Sequence, residues 1–151
     1  MATIADLLES VEKVDLGIII QTSIEETAAD YIRLNTEEQL FKGIDANGAQ
    51  LQPLYKSKSY AKKKNQMNPT PGYGVPDLKL TGSFYQSQKL AVNGDQINLD
   101  SDVDHAQYLE NNYGADKIYG LDDENQETYN FGAFQDAFAN KITELTGLEL
   151  V

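Results

Sequence analysis

The sequence predicts an α+β fold: a small antiparallel sheet with a central hairpin, packed against N-terminal and C-terminal helices, with a long Pro/Gly loop. Three observations carry this. Apolar residues recur at helical spacing at both ends of the chain. Alternating apolar and polar residues flank Asn93-Gly94, and three of the four prolines fall at Pro69, Pro71 and Pro76. The 151 residues suit one domain. Its expected parts are a helical region over 1-43, a sheet over 44-121 with a loop at 65-79, and a C-terminal helix over 128-147.

Ile4, Leu7, Leu8, Val11 and Val14 follow Thr3, with Asp6 three residues on, the pattern of a capped amphipathic helix. Ser23-Ile24-Glu25-Glu26 repeats the capping signal, and Ile24, Ala28, Tyr31 and Ile32 supply the apolar face of a second helix. Thr36 with Gln39 predicts a restart near Asn35, and Gly43 ends the helical part. Asp45-Ala46-Asn47-Gly48 is turn chemistry, because Asp, Asn and Gly tolerate left-handed backbone. Ser57 to Asn65 reads as a short basic helix. The Pro/Gly loop after it is long enough to mark a contact arm.

Phe84 to Val92 and Gln96 to Asp100 read as strands around a type I′ turn at Asn93-Gly94. Leu90, Val92, Ile97 and Leu99 should form the buried face. A helix is expected from Asp104 to Gly114, and a strand at Lys117 to Leu121. Thr128 is expected to cap the last helix, whose stripe of Phe134, Ala137, Phe138, Ile142 and Leu145 ends at Gly147.

Mean hydropathy is -0.49 and no long apolar run occurs, so no membrane span is expected. The first residues lack a basic segment followed by an apolar one, which predicts no export signal. With no cysteine, thiolate chemistry, zinc knuckles and disulfides are excluded. The formal charge of -12 disfavours a sequence-specific DNA reader. That charge is uneven: Lys56, Lys58, Lys62, Lys63 and Lys64 crowd one stretch, whereas Asp95 to Glu127 holds ten acidic residues and only Lys117. A basic corner and an acidic flank suit head-to-tail contact between copies, although mixed charge is also common on any soluble protein.

Catalytic patterns are sparse. His105 is the only histidine, and no G-x-S-x-G accompanies it. Asp100, Asp102 and Asp104 mimic half of a calcium loop, but His105 replaces the turn glycine and Asn111 the closing glutamate. Asp122-Asp123-Glu124 suits a solvated loop. Gly72-Tyr73-Gly74 is too short for a phosphate cradle. Lysines interleaved with Tyr55 and Tyr60 have the ingredients of a nucleic-acid patch, yet the acidic background favours a protein partner. Neither catalytic residues, a cofactor nor a metal are expected. A carboxylate hydrolase using Asp102, Asp104 or Asp122 ranks last.

The order of signals is more informative. Gln39-Leu40-Phe41-Lys42-Gly43-Ile44-Asp45-Ala46-Asn47-Gly48 leads to Leu54-Tyr55, Tyr60 and Lys62. Leu80-Thr81-Gly82-Ser83-Phe84, the hairpin, His105-Ala106-Gln107-Tyr108 and Tyr113-Gly114 follow. This order resembles the virion-morphogenesis or tail-completion proteins of tailed phages. The family's Pro-rich ending is replaced here by Lys117 to Leu121, an acidic loop and a final helix.

The resemblance implies a non-enzymatic head–tail connector or neck subunit, made in the host cytoplasm and located in the virion. It would form a homo-oligomeric ring contacting portal or adaptor and tail proteins, with DNA passing unread. Subunit or partner contacts would come from Lys56, Lys58, Lys62, Lys63, Lys64, Pro69, Pro71, Tyr73 and Pro76. Asp100, Asp102, Asp122, Asp123 and Glu124 would give an acidic channel or surface face, since a ring around moving DNA should repel phosphate. The rival is an acidic DNA-mimic or inhibitor module acting on a basic protein.

Overall fold

A computed structural model describes residues 3–12 and 15–147. The Thr3 amide donates to Asp6 Oδ2 at 2.8 Å and the Asp6 amide to Thr3 Oγ1 at 3.2 Å, a reciprocal cap opening α1, Ile4–Glu12. Val14, expected in this helix, lies outside the described residues. Helix α2 runs Leu16–Glu26 and is capped by Asp15, whose Oδ1 accepts from the Ile18 amide at 3.2 Å. Ser23 is therefore not a cap: it is buried inside α2, and its hydroxyl donates to the Ile19 carbonyl at 2.6 Å. The chain breaks at Thr27 and continues as α3, Ala28–Thr36. A 3-10 turn at Leu40–Lys42 then ends on Gly43 in the left-handed region, φ 74°.

Asp45 Oδ1 accepts from the amides of Asn47 and Ala49, closing the expected turn. Helix α4, Lys58–Met67, starts on Ser57, which accepts from the Tyr60 amide. Residues 65–67 thus belong to α4, and the irregular segment runs from 68 to 82 rather than over 65-79. Residues 84–87, expected to open a strand, belong instead to α5, Ser83–Ser87. That turn lets the neighbours Phe84 and Tyr85 both enter the interior, which alternation along a strand forbids.

Strands β1, Gln88–Asn93, and β2, Gln96–Ser101, make a two-stranded antiparallel sheet with Leu90 opposite Leu99 and Val92 opposite Ile97. The apolar face is as expected. The turn is displaced by one residue, to Gly94-Asp95, because Asn93 pairs with Gln96; positive φ (63°) falls on Gly94, the first central residue. Helix α6, Ala106–Tyr113, ends at Gly114. The expected strand at 117–121 is replaced by α7, Ala115–Ile118, and a short extended link. Asp122, not Thr128, caps the last helical region: its Oδ1 accepts from the Asn125 amide at 2.9 Å. Helix α8, Asp123–Tyr129, passes through a wide turn at Asn130–Phe134 into α9, Gln135–Thr146, and Gly147 closes it. Thr128 lies within α8, its hydroxyl bonded to the Glu124 carbonyl.

Two apolar clusters result. Leu40, Leu51, Phe84, Tyr85, Ala106 and Ile118 form one. Tyr31, Leu34, Leu99 and Tyr129 form the other, under the hairpin and the C-terminal helices. A buried amide chain joins them. Asn35 Nδ2 donates to Gln88 Oε1 at 2.9 Å and to the Ile118 carbonyl at 3.1 Å, while Gln39 Nε2 donates to the Gly120 carbonyl at 2.7 Å. Gln39 Oε1 in turn accepts from the Asp122 amide at 2.8 Å.

Candidate functional site

A groove of about 740 Å³ opens over the first cluster, between the segment 53–60, the turn at 78–84 and helix α6. Its base is built by local chemistry. Lys64, on the inner face of α4, places Nζ 2.7 Å from Asp77 Oδ1, with both side chains no more than 5% exposed. The ammonium also donates to the Lys79 carbonyl, and the Lys79 amide donates to Asp77 Oδ1 at 2.9 Å. Between these anchors Leu78 is held at φ 57°, a left-handed conformation costing a branched residue about 1–2 kcal/mol. Leu78 lines the groove, so the buried pair fixes a strained turn beneath it.

Asn68 locks the other side of the turn, donating to the Phe41 carbonyl at 2.8 Å and to Asp77 Oδ2 at 2.9 Å. The Tyr85 hydroxyl donates to the Asp77 carbonyl. Burial first, then the Asp77 charge, push the Tyr85 phenol far up; the same two causes raise Tyr55. Burial pushes Tyr113 up to about 12, and Tyr55 and Tyr60 meet edge to face with centroids 5.0 Å apart. These phenols stay neutral and serve as apolar walls with polar rims. Lys79 reaches over the rings of Phe41 and Tyr85 at 5.3 and 5.5 Å.

The sequence-predicted contact residues divide. Lys56, Lys58, Lys62 and Lys63 are exposed, and Lys56 lines the groove. Lys64 and Pro76 are buried, which corrects their expected place on a contact surface: Lys64 is committed to Asp77, and Pro76 sits within the loop's packed base. The loop is pinned. The Tyr55 amide donates to the Gly74 carbonyl at 2.9 Å, the Tyr73 hydroxyl donates to the Lys58 carbonyl at 3.2 Å, and a Cβ on Gly43 would stand 2.7 Å from both Pro71 and Val75. Of the loop's predicted contact residues, Pro69 and Tyr73 are exposed and Pro71 is half-buried.

The acidic residues lie in two places. Asp100 lies near the end of β2 and Asp102 just past it; Asp102 bonds Lys89, which lowers its pKa and raises the lysine's by hydrogen bond and then charge. Asp122, Asp123 and Glu124 open α8, where Asp122 is half-buried as the cap and the other two are exposed. Among the described residues, no group of three or more His, Asp or Glu is placed to hold a metal ion. His105 is exposed on the groove rim at the start of α6.

Leu54, Leu80 and Tyr108, which belong to the ordered motifs but were not expected as contacts, and Leu109 are gathered by the fold from three separate segments to line the groove. Leu54, Leu80 and Tyr108 are 44, 55 and 68% exposed, and Leu109 is half-buried against the cluster beneath. Comparison with family models, curated proteins and solved structures finds no match to this chain.

Proposed function

We propose that this chain is a non-enzymatic structural subunit of the head–tail junction of a tailed phage, a neck, tail-completion or tail-terminator ring component joining portal complex to tail. One observation carries the reading: the motifs whose order underlies the resemblance fall in one packed unit. Leu40, Phe84 and Ala106 share a core cluster, with Phe41 and Tyr113 packed against it, and Tyr55, Tyr60, Thr81, Gly82, His105 and Tyr108 line the groove above. The surface supports the same reading. Asp100, Asp123 and Glu124 are exposed carboxylates that would repel passing phosphate, Asp102 being paired with Lys89, and Lys56, Lys58, Lys62 and Lys63 offer the opposite charge to a neighbour.

The test is the mass of the purified protein by light scattering after size exclusion, alone and mixed with a portal-adaptor or tail-tube protein. A closed ring, or a stoichiometric ring-on-ring complex, is expected. A monomer that ignores both partners and instead binds a basic DNA-processing protein overturns the assignment in favour of a DNA mimic.

A further inference from the structure

Helix α1 is an acidic amphipathic helix without a buried residue. Its apolar side chains are open: Ile4 is 78% exposed, Leu8 58%, Val11 50% and Leu7 37%. Asp6, Glu9 and Glu12 complete it. Nine residues span about 13 Å, and a helix that short is marginal in water unless a surface covers its apolar face. Within its own chain α1 lies against α9, on the side of the second cluster.

The groove is its complement. The chain carries 24 acidic residues, yet none lines the groove, whereas the exposed Lys56 and Lys79 do; Lys64, also in the lining, is already matched by Asp77. Exposed Leu54, Leu80 and Tyr108 supply apolar contact between those cations. A partner matched to this surface is apolar along one stripe and acidic beside it. The lining comes from residues 53–113, none of it from α1, α2 or α9, so helix and groove occupy different parts of the molecule.

We propose that α1 of one copy docks in the groove of the next, resting on the ring reading above. Ile4, Leu8 and Val11 then act as anchors at helical spacing over Leu54, Leu80 and Tyr108, and the exposed Glu12 at the end of α1 meets the groove lysines Lys56 and Lys79. The contact is heterologous, helix to groove, and each copy keeps one free end of each kind. Such a contact propagates until a ring closes. Being small, it gains strength from closure rather than from any single pair.

Two substitutions at exposed positions separate the halves of the contact without touching either core: Leu8→Asp on the helix and Leu80→Asp in the groove. Circular dichroism should show both folded as the wild type. Sedimentation over a concentration series up to about 1 mM should show each alone associating at least about tenfold more weakly than the wild type. Their equimolar mixture should form a species of two chains and stop there, because the intact helix of one fits the intact groove of the other.

Wild-type assembly that neither substitution weakens overturns the docking while leaving the ring reading in place. If the wild type assembles only on a portal-adaptor or tail-tube template, the comparison is made there. Rings of both variants equal to wild type then overturn the docking alone. A wild type that associates neither alone nor on a template overturns both.

Discussion

The Lys64 ammonium and the Asp77 carboxylate lie 2.7 Å apart, and neither side chain is more than 5% exposed. Sequence had assigned this lysine to a basic surface with its neighbours Lys62 and Lys63. It sits instead on the inward face of α4, where its charge is matched by a residue of the loop.

Removing one partner leaves an uncompensated buried charge, so Lys64→Met and Asp77→Leu should each cost about 3–5 kcal/mol. The double substitution should cost less than the sum, because each single change strands the other charge. It should still destabilise, since Asp77 also accepts from Asn68 and the Lys79 amide. Urea unfolding of the four proteins in a cycle measures the coupling. Strictly additive losses would show that the pair is not a unit.

Two glycines of left-handed backbone test how firmly the loop is pinned. Gly43, φ 74°, has Pro71 and Val75 where a Cβ would go; Gly74, φ 81°, has open space. Gly74→Ala should cost about 1–2 kcal/mol, the backbone term alone. Gly43→Ala should cost about 1–3 kcal/mol more, because the loop must shift to admit a methyl group. Thermal unfolding ranks them, and equal losses would mean that the loop is free to move off Gly43.

The elements with local chemistry were legible from sequence. The Thr3–Asp6 cap, the Asp45 turn and the Gly114 and Gly147 stops each depend on residues within a few positions of one another. What sequence missed was decided at a distance. Asp15 starts α2 before three successive isoleucines, whose run has no amphipathic period. The segment Lys117 to Leu121 looked like a strand, but α7 follows Gly114 directly and, among the described residues, no strand lies beside it to pair. The groove was invisible because its lining is assembled from residues about fifty positions apart.

The buried amide chain supplies a contrast between two glutamines. Gln39 satisfies the Gly120 carbonyl and the Asp122 amide, so Gln39→Met should cost about 2–4 kcal/mol by leaving both unpaired. Gln88 accepts from Asn35, but its own buried Nε2 has no partner among the described residues. Gln88→Met removes that unsatisfied donor along with one bond, and should cost no more than about 1 kcal/mol. Denaturant midpoints compare them directly.

Asp122 tests whether the acidic flank acts by charge or by capping. Its carboxylate holds the Asn125 amide at the start of α8. Asp122→Ala should lose about 1 kcal/mol of stability, while Asp122→Ser keeps the cap and removes the charge. If the flank repels passing DNA, the serine variant joined with Asp123→Asn and Glu124→Gln should bind duplex DNA more tightly at low salt, with normal stability. Unchanged DNA binding would assign this cluster to capping alone.

Alkaline pH should unfold the protein through its tyrosines. Burial raises the phenols of Tyr85, Tyr55 and Tyr113 above their ordinary 10.0, the last to about 12. The unfolded chain releases these protons near pH 10 and the folded chain does not, so the folded state holds more protons there. Stability is then complete below pH 10 and falls as pH rises above it, by at most about 1.4 kcal/mol per pH unit for each such group. Absorbance titration of tyrosinate should track loss of circular dichroism between pH 10 and 12. Tyr85→Phe keeps the ring and removes one titrating group. It should lower stability at neutral pH, through the lost bond to the Asp77 carbonyl, yet flatten the alkaline decline. Tyrosinate appearing near pH 10 with the fold intact would mean that these rings are more open to water than their burial indicates.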